Sequence, residues 1–235
     1  MTMTGPARIR LGGISSMATR QWLAELAATY AERSGVMVAI ESVGGVDAAR
    51  RVQAGDRFDF VVLAGDAIDR LIAAGHLAAG SRVDLARSPV AVAVRAGAPR
   101  PDITTEDAVR RAVLAARSLS VSTGPSGDHL MGVFQRWGIA EQIRARLVQA
   151  PPGVPVGALV ARGEVELGLQ QLSELISLDG ITVLGTLPPT MAAITVFSAG
   201  VPAQGEQAEA VQAWLAFLNA APAAEAKRRH GMTPA

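Results

Sequence analysis

Residues 120–137 read Ser-Val-Ser-Thr-Gly-Pro-Ser-Gly-Asp-His and then Leu-Met-Gly-Val-Phe-Gln-Arg-Trp. A short strand over 119–122 runs into a Thr-Gly-Pro-Ser-Gly loop. A helix follows, with Ser126 expected as its N-cap and Leu130, Phe134 and Trp137 on one face. The first backbone N–H groups of a helix have no partner inside it, and the aligned peptide dipoles make that end partly positive. A Gly/Ser loop opening a helix is therefore a seat for an anion, as well as an ordinary strand–turn–helix joint. Thr123, Ser126 and Gly127 are the candidate donors. His129, just inside the helix, is a candidate general base if the site performs proton chemistry, because its ring titrates near neutral pH. Glu174 is a second, weaker candidate for that role.

Four other polar pairs fall at the ends of expected strands: Ser15/Ser16, Gly44/Gly45, Gly65/Asp66 and Gln170/Gln171. Each alone is a turn or a cap. Together with the 123–127 loop they form a set that one α/β topology would bring to a common ligand cleft. Arg20, Arg50, Arg51 and Arg95 could pair a carboxylate bidentately, but a solvated surface is the commoner fate of such residues.

The elements that must position these residues alternate. Strands are expected at 9–12, 36–43, 58–63, 90–94, 119–122, 165–169, 181–184 and 193–197. Amphipathic helices follow most of them, the first carrying Trp22, Leu23, Leu26 and Tyr30, the last Val211, Trp214, Leu215 and Leu218. Ser88-Pro89 breaks the rhythm, and Lys227, Arg228 and Arg229 read as a charged tail. Strand–helix alternation implies an α/β fold with mostly parallel sheets flanked by helices. The chain is expected to start in one lobe (residues 7–87), visit a second (88–200) and return (201–235), leaving a cleft between the lobes.

Composition narrows the function. With 49% apolar and 18% charged residues the chain can build a core. Its 22 basic and 21 acidic residues leave no basic excess for nucleic acid. The absence of cysteine removes disulfides and thiolate chemistry. His76, His129 and His230 stand apart without a metal-ligand motif, so no metal is expected. No Walker or Gly-x-Gly-x-x-Gly motif is present, and no cofactor is expected. No run is long enough to span a bilayer. Residues 1–10 lack a secretory pattern, which predicts a cytoplasmic chain, or a periplasmic one if a leader was trimmed.

Several segments, in their order and spacing, resemble the type II periplasmic solute-binding proteins, within them the molybdate-binding-protein-like branch. They are Gly13-Ile-Ser-Ser-Met, Ser42-Val-Gly-Gly before a helix ending Gln-Ala-Gly, Asp59-Phe-Val-Val, and Arg162-Gly-Glu-Val-Glu-Leu-Gly-Leu-Gln-Gln-Leu-Ser-Glu-Leu. The resemblance implies two lobes that close on a small anion, with an ABC permease as partner if the protein is exported. It also implies that Ser16, with Ser15 beside it, donates to the anion after the first strand. Gly45 stands where the family usually has a second Ser. Gln171 stands where molybdate binders have a Tyr. These replacements suit a planar carboxylate as well as a tetrahedral oxyanion. Two functions stay open: an anion-binding protein without chemistry, and an isomerase of a small di- or tricarboxylic acid on the same scaffold, in the manner of aconitate isomerase.

Overall fold

Phe60–Ala64 is an apolar, β-branched run, and in the computed structural model every residue of it is buried. Continuous burial marks a strand covered on both faces. The structure describes residues 9–151 and 153–235. The chain divides into two compact units. The first holds the residues up to Ala86, Val196–Arg229 and Thr233–Ala235, and the second holds Arg87–Thr195 and His230–Met232.

In the first unit β1 (Arg10–Ser16) lies between two parallel neighbours, β2 (Met37–Val43) and β3 (Phe60–Ala64). The helices α1 (Arg20–Ser34), α2 (Gly45–Gln53) and α3 (Gly65–Ala73) follow these strands in turn. Ile14, Val61, Leu63, Ile68 and Leu71 pack together between sheet and helices. A second cluster is aromatic. Trp214, from α9 (Ala208–Leu218), is fully buried, with its ring centroid 5.1 Å from that of Tyr30 and 6.1 Å from that of Phe60. The β1 strand reaches Ser16, so Ser15 and Ser16 are its last residues rather than a loop after it.

The passage to the second unit falls inside one strand, β4 (Val83–Arg95), which is longer than the expected 90–94 and runs through Ser88-Pro89. Pro89 has no N–H to give, and the ladder with β6 (Leu167–Gln171) runs from Val90 onward, so Pro89 lies outside that pairing. In this unit β5 (Leu119–Val121) is parallel to β6, while β6 and β7 (Ile181–Thr186) are both antiparallel to β4. The helices are α4 (Glu106–Ala115), α5 (Pro125–Arg136), α6 (Ala140–Ile143), α7 (Val156–Arg162) and α8 (Leu172–Leu175). Leu130, Val133 and Phe134 of α5 join Val92, Leu119 and Leu169 in its core. Helix α4 is capped as its sequence predicts: Ala108 N–H donates to Thr105 Oγ1 at 3.1 Å. Thr105→Ala removes that bond, and a urea titration should show a loss of about 1 kcal/mol.

The return passage lies within β8 (Ile194–Gly200), between Thr195 and Val196, and β8 pairs antiparallel with β3 in the first unit. Near the end, His230–Met232 joins the second unit again. Gly231 adopts φ 73°, and a Cβ there would lie 2.8 Å from Leu172 Cγ, so a glycine serves both the turn and the close approach. The charged tail expected at 227–229 is instead the end of α10 (Ala221–Arg229), and Lys227 is buried at 1% exposure.

Candidate functional site

In the first unit the carboxyl ends of β1 and β2 lie side by side, with Ser15 opposite Ser42 and Ser16 opposite Val43. Successive strand residues point to opposite faces, so the two serines have different fates. Ser15 is fully buried and its hydroxyl lies 2.8 Å from that of Ser42, a partner the sequence reading did not name. Ser16 is 6% exposed and its Oγ has no hydrogen-bond partner. It precedes the short turn Met17–Thr19 as N-cap residue but makes no cap bond; Thr19 Oγ1 instead donates to the Ser16 carbonyl at 2.9 Å. A Cβ placed on Gly45 would sit 3.7 Å from Ser16 Cβ. The hydroxyl is therefore next to the start of α2, where Gly44 caps without a side chain and the leading N–H groups carry partial positive charge.

In the second unit β5 and β6 are parallel, so their carboxyl ends share an edge. Ser126 is not the N-cap of α5. Gly124 is the cap and Pro125 is the first helical residue, where its fixed φ and missing N–H suit the helix start. Ser126 lies inside the first turn, 3% exposed, its Oγ 2.7 Å from Ser122 Oγ. Gly127 N–H, expected to face an anion, donates to the Gly124 carbonyl at 2.8 Å. Thr123 is exposed. His129 is half-buried, with Nε2 3.2 Å from the Met191 carbonyl oxygen. With Nε2 as the donor, Nδ1 is the nitrogen left to accept a proton.

Gln170 and Gln171 are the last residues of β6 rather than a loop after it. Gln171 Nε2 donates to Thr195 Oγ1 at 2.7 Å, and its Oε1 is buried without a partner. A hydroxyl both donates and accepts, so turning the amide over keeps the Thr195 bond and offers Nε2 to an anion instead. Gln170 Oε1 accepts from Gly157 N–H at 3.3 Å, and Gln170 also hydrogen-bonds the Glu174 carboxyl. Burial pushes that carboxyl up to about 7, against which the Gln170 bond acts weakly. Ser173 Oγ and Ser88 Oγ, both in this unit, are buried without partners as well.

The arginines take the bland course. Arg50 pairs with Asp47, and Arg51 bonds Glu41 and Asp56 and lies over Phe58. Arg20 and Arg95 are exposed. A depression of about 520 Å³ in the second unit, walled by Glu106, Trp137, Pro188 and Thr190 among others, contains none of the expected site residues. Among the described residues no group of His, Asp and Glu could hold a metal ion, and no helix is long and apolar enough to cross a membrane.

Two α/β units, each with unpartnered polar groups at the carboxyl edge of parallel strands, define a small-ligand binding architecture. Residues 12–233 match the family model of the bacterial extracellular solute-binding proteins, and the chain belongs to that family. A curated relative, an aconitate isomerase from a Pseudomonas species, is 37% identical over 216 residues, covering 89% of this chain and 82% of its own. The fold is that of the periplasmic molybdate-binding protein of Azotobacter vinelandii, at a TM-score of 0.80 and 18% identity over 95% of this chain and 98% of that one. The sulfate-binding protein SubI of Mycobacterium tuberculosis is similar at a TM-score of 0.75 and 18% identity, over 97% and 87%. The two-lobed type II binding-protein fold that the resemblance implied is the fold found.

Proposed function

We propose that this solute-binding protein takes a small oxyanion or carboxylate, and that Ser16 is its principal side-chain donor in the first unit. The observation that carries the reading is the Ser16 hydroxyl: buried, unpartnered, and beside the amino end of α2. A buried hydroxyl is normally hydrogen-bonded, so one left open at a partly positive helix start suits an anionic ligand. Ser15, tied to Ser42, positions the strand end rather than the ligand. In the second unit the proposed contacts are Thr123, Ser126 through its backbone N–H, and Gln171. Each set is tested by its own substitutions. An exported form would hand its ligand to an ABC permease.

The test is a thermal-shift and calorimetric screen of molybdate, tungstate, sulfate, phosphate and a panel of di- and tricarboxylates. A ligand that binds the folded state alone raises the melting temperature. Ser16→Ala should then weaken the ligand found by about 2 kcal/mol, roughly thirtyfold in Kd, because the anion loses one donor without a replacement. Unchanged affinity would move the site elsewhere.

The aconitate isomerase relative favours a second reading, catalysis on the same scaffold. Under it the ligand is a tricarboxylate and the protein shifts a proton next to one of its carboxylates. The same screen separates the two: a response to tetrahedral oxyanions alone supports binding without chemistry, whereas a response confined to carboxylates calls for an assay of turnover.

A further inference from the structure

We propose that Ser88 and Gln171 form a subsite for an uncharged hydroxyl group, so that the ligand is a hydroxycarboxylate; the proposal rests on the anion-binding reading above. Both residues lie in the second unit. Ser88 is fully buried on β4, and Gln171 is 3% exposed at the end of β6. Ser88 Oγ and Gln171 Oε1 are both without a partner. The strand register brings the two side chains to one place. Val90 stands opposite Gln171 in the antiparallel pair of β4 and β6, so their side chains share one face of the sheet. Ser88, two residues before Val90 on the same strand, is on that face too.

The bond to Thr195 fixes where the Gln171 amide lies. In the sheet β4 runs between β6 and β8. Val90 N–H donates to the Ala193 carbonyl at 3.2 Å, two residues before Thr195. Gln171 Nε2 donates to Thr195 Oγ1 at 2.7 Å, so the side chain reaches from β6 to β8 over β4, on the face that carries Ser88. Thr195 is half-buried, so that end of the bridge meets the surface. An open carbonyl oxygen and an open hydroxyl on one face are completed by a group that both donates and accepts. A ligand hydroxyl does both: it donates to Gln171 Oε1 and accepts from the Ser88 hydroxyl.

The charges nearby favour a neutral group at this point. Strands β6, β7 and β8 carry no charged side chain. Arg87, beside Ser88, projects to the opposite face and is exposed, and Arg95 is exposed as well. Glu174 bonds Gln170, which also points to the other face of β6. A buried anionic oxygen between Ser88 and Gln171 would lack a cation, whereas a hydroxyl needs none. The anionic groups of the ligand are left to the donors proposed above.

Calorimetry on the full chain with acids that differ by one hydroxyl tests this: malate against succinate, and citrate against tricarballylate. A site that bonds a ligand hydroxyl rejects the analogue lacking it, because its own buried groups are then left unpaired. In at least one pair the hydroxy acid should bind wild type tenfold or more tighter. Ser88→Ala should bring that preference within about threefold and leave the affinity for the deoxy acid unchanged. Its ligand-free melting temperature should not fall, since the hydroxyl removed has no partner in the protein. Equal affinities within both pairs in wild type overturn the proposal, as does a preference that survives in Ser88→Ala. A lowered melting temperature with both acids weakened alike makes Ser88 structural and overturns it too. A response to tetrahedral oxyanions alone overturns the proposal and leaves the anion-binding reading standing. No response to any anion overturns that reading, and the proposal falls with it.

Discussion

Replacing Gly127 with Ala should destabilise the protein by about 3 kcal/mol, the upper end of what overpacking costs. A Cβ at that position would stand 1.7 Å from the Ser122 carbonyl oxygen. The obstacle is backbone, so no side chain can turn aside; α5 must move away from the end of β5. That shift would also break the Ser122–Ser126 hydroxyl pair and loosen the first turn proposed as a ligand contact. Gly132, on the same helix, is the control. Nothing lies within 4 Å of a Cβ there, and Gly132→Ala should gain about 0.5–1 kcal/mol, since Ala is the better helix former. Urea denaturation of the two variants should move the midpoint in opposite directions. Equal effects would mean that the close approach to Ser122 is not made.

The second large effect concerns Lys227, the only lysine in the sequence. Its ammonium donates to the Leu85 carbonyl at 2.6 Å and to Asn219 Oδ1 at 3.4 Å, and lies 5.5 Å from the centre of the Trp22 ring. Among the described residues no carboxylate compensates the burial, which lowers its pKa to about 8. The unfolded chain holds this proton up to about 10.4. Between those values the unfolded state binds more protons than the folded state, so stability rises with pH. The slope is at most about 1.4 kcal/mol per pH unit, and the sum across the window is about 3 kcal/mol. Below pH 8 both states are protonated and this contribution to the slope vanishes. No other lysine titrates in the window, which makes the measurement clean. Unfolding free energies at pH 7.5 to 10.5 should climb in wild type and stay flat over that range in Lys227→Met. A flat wild-type curve would place the ammonium in contact with water.

Much of the fold was legible one element at a time. The apolar run ending in FVVLA and the repeats of α1 and α9 need only their own periodicity, because a strand or a helix must hide one face or both. Element ends were less legible. Ser15/Ser16 and Gln170/Gln171 read as loops because they are polar, yet both pairs complete strands whose hydrogen bonds come from distant neighbours. Pro89 read as a break, but it lies inside β4, just ahead of the ladder with β6. Ser126 read as a cap, but Gly124 is the cap and Pro125 starts the helix, two residues ahead of that reading.

The candidate site divides in the same way. Its residue types and their order along the chain were set by the sequence: serines after the first strand, a Gly-Pro-Ser-Gly helix start, and glutamines before a Ser-Glu pair. Which of them are open to a ligand was not. That depends on partners far away in sequence, and a hydroxyl shows no sign of them locally. Ser42 takes the hydroxyl of Ser15 and leaves that of Ser16 open, Met191 holds His129, and Gln170 with Gly157 holds Glu174. Lys227 is the same lesson in charge. Beside two arginines it reads as solvated, and only the packing of α10 against Leu85 and Trp22 takes it out of water, because desolvation is a property of the surroundings and not of the residue.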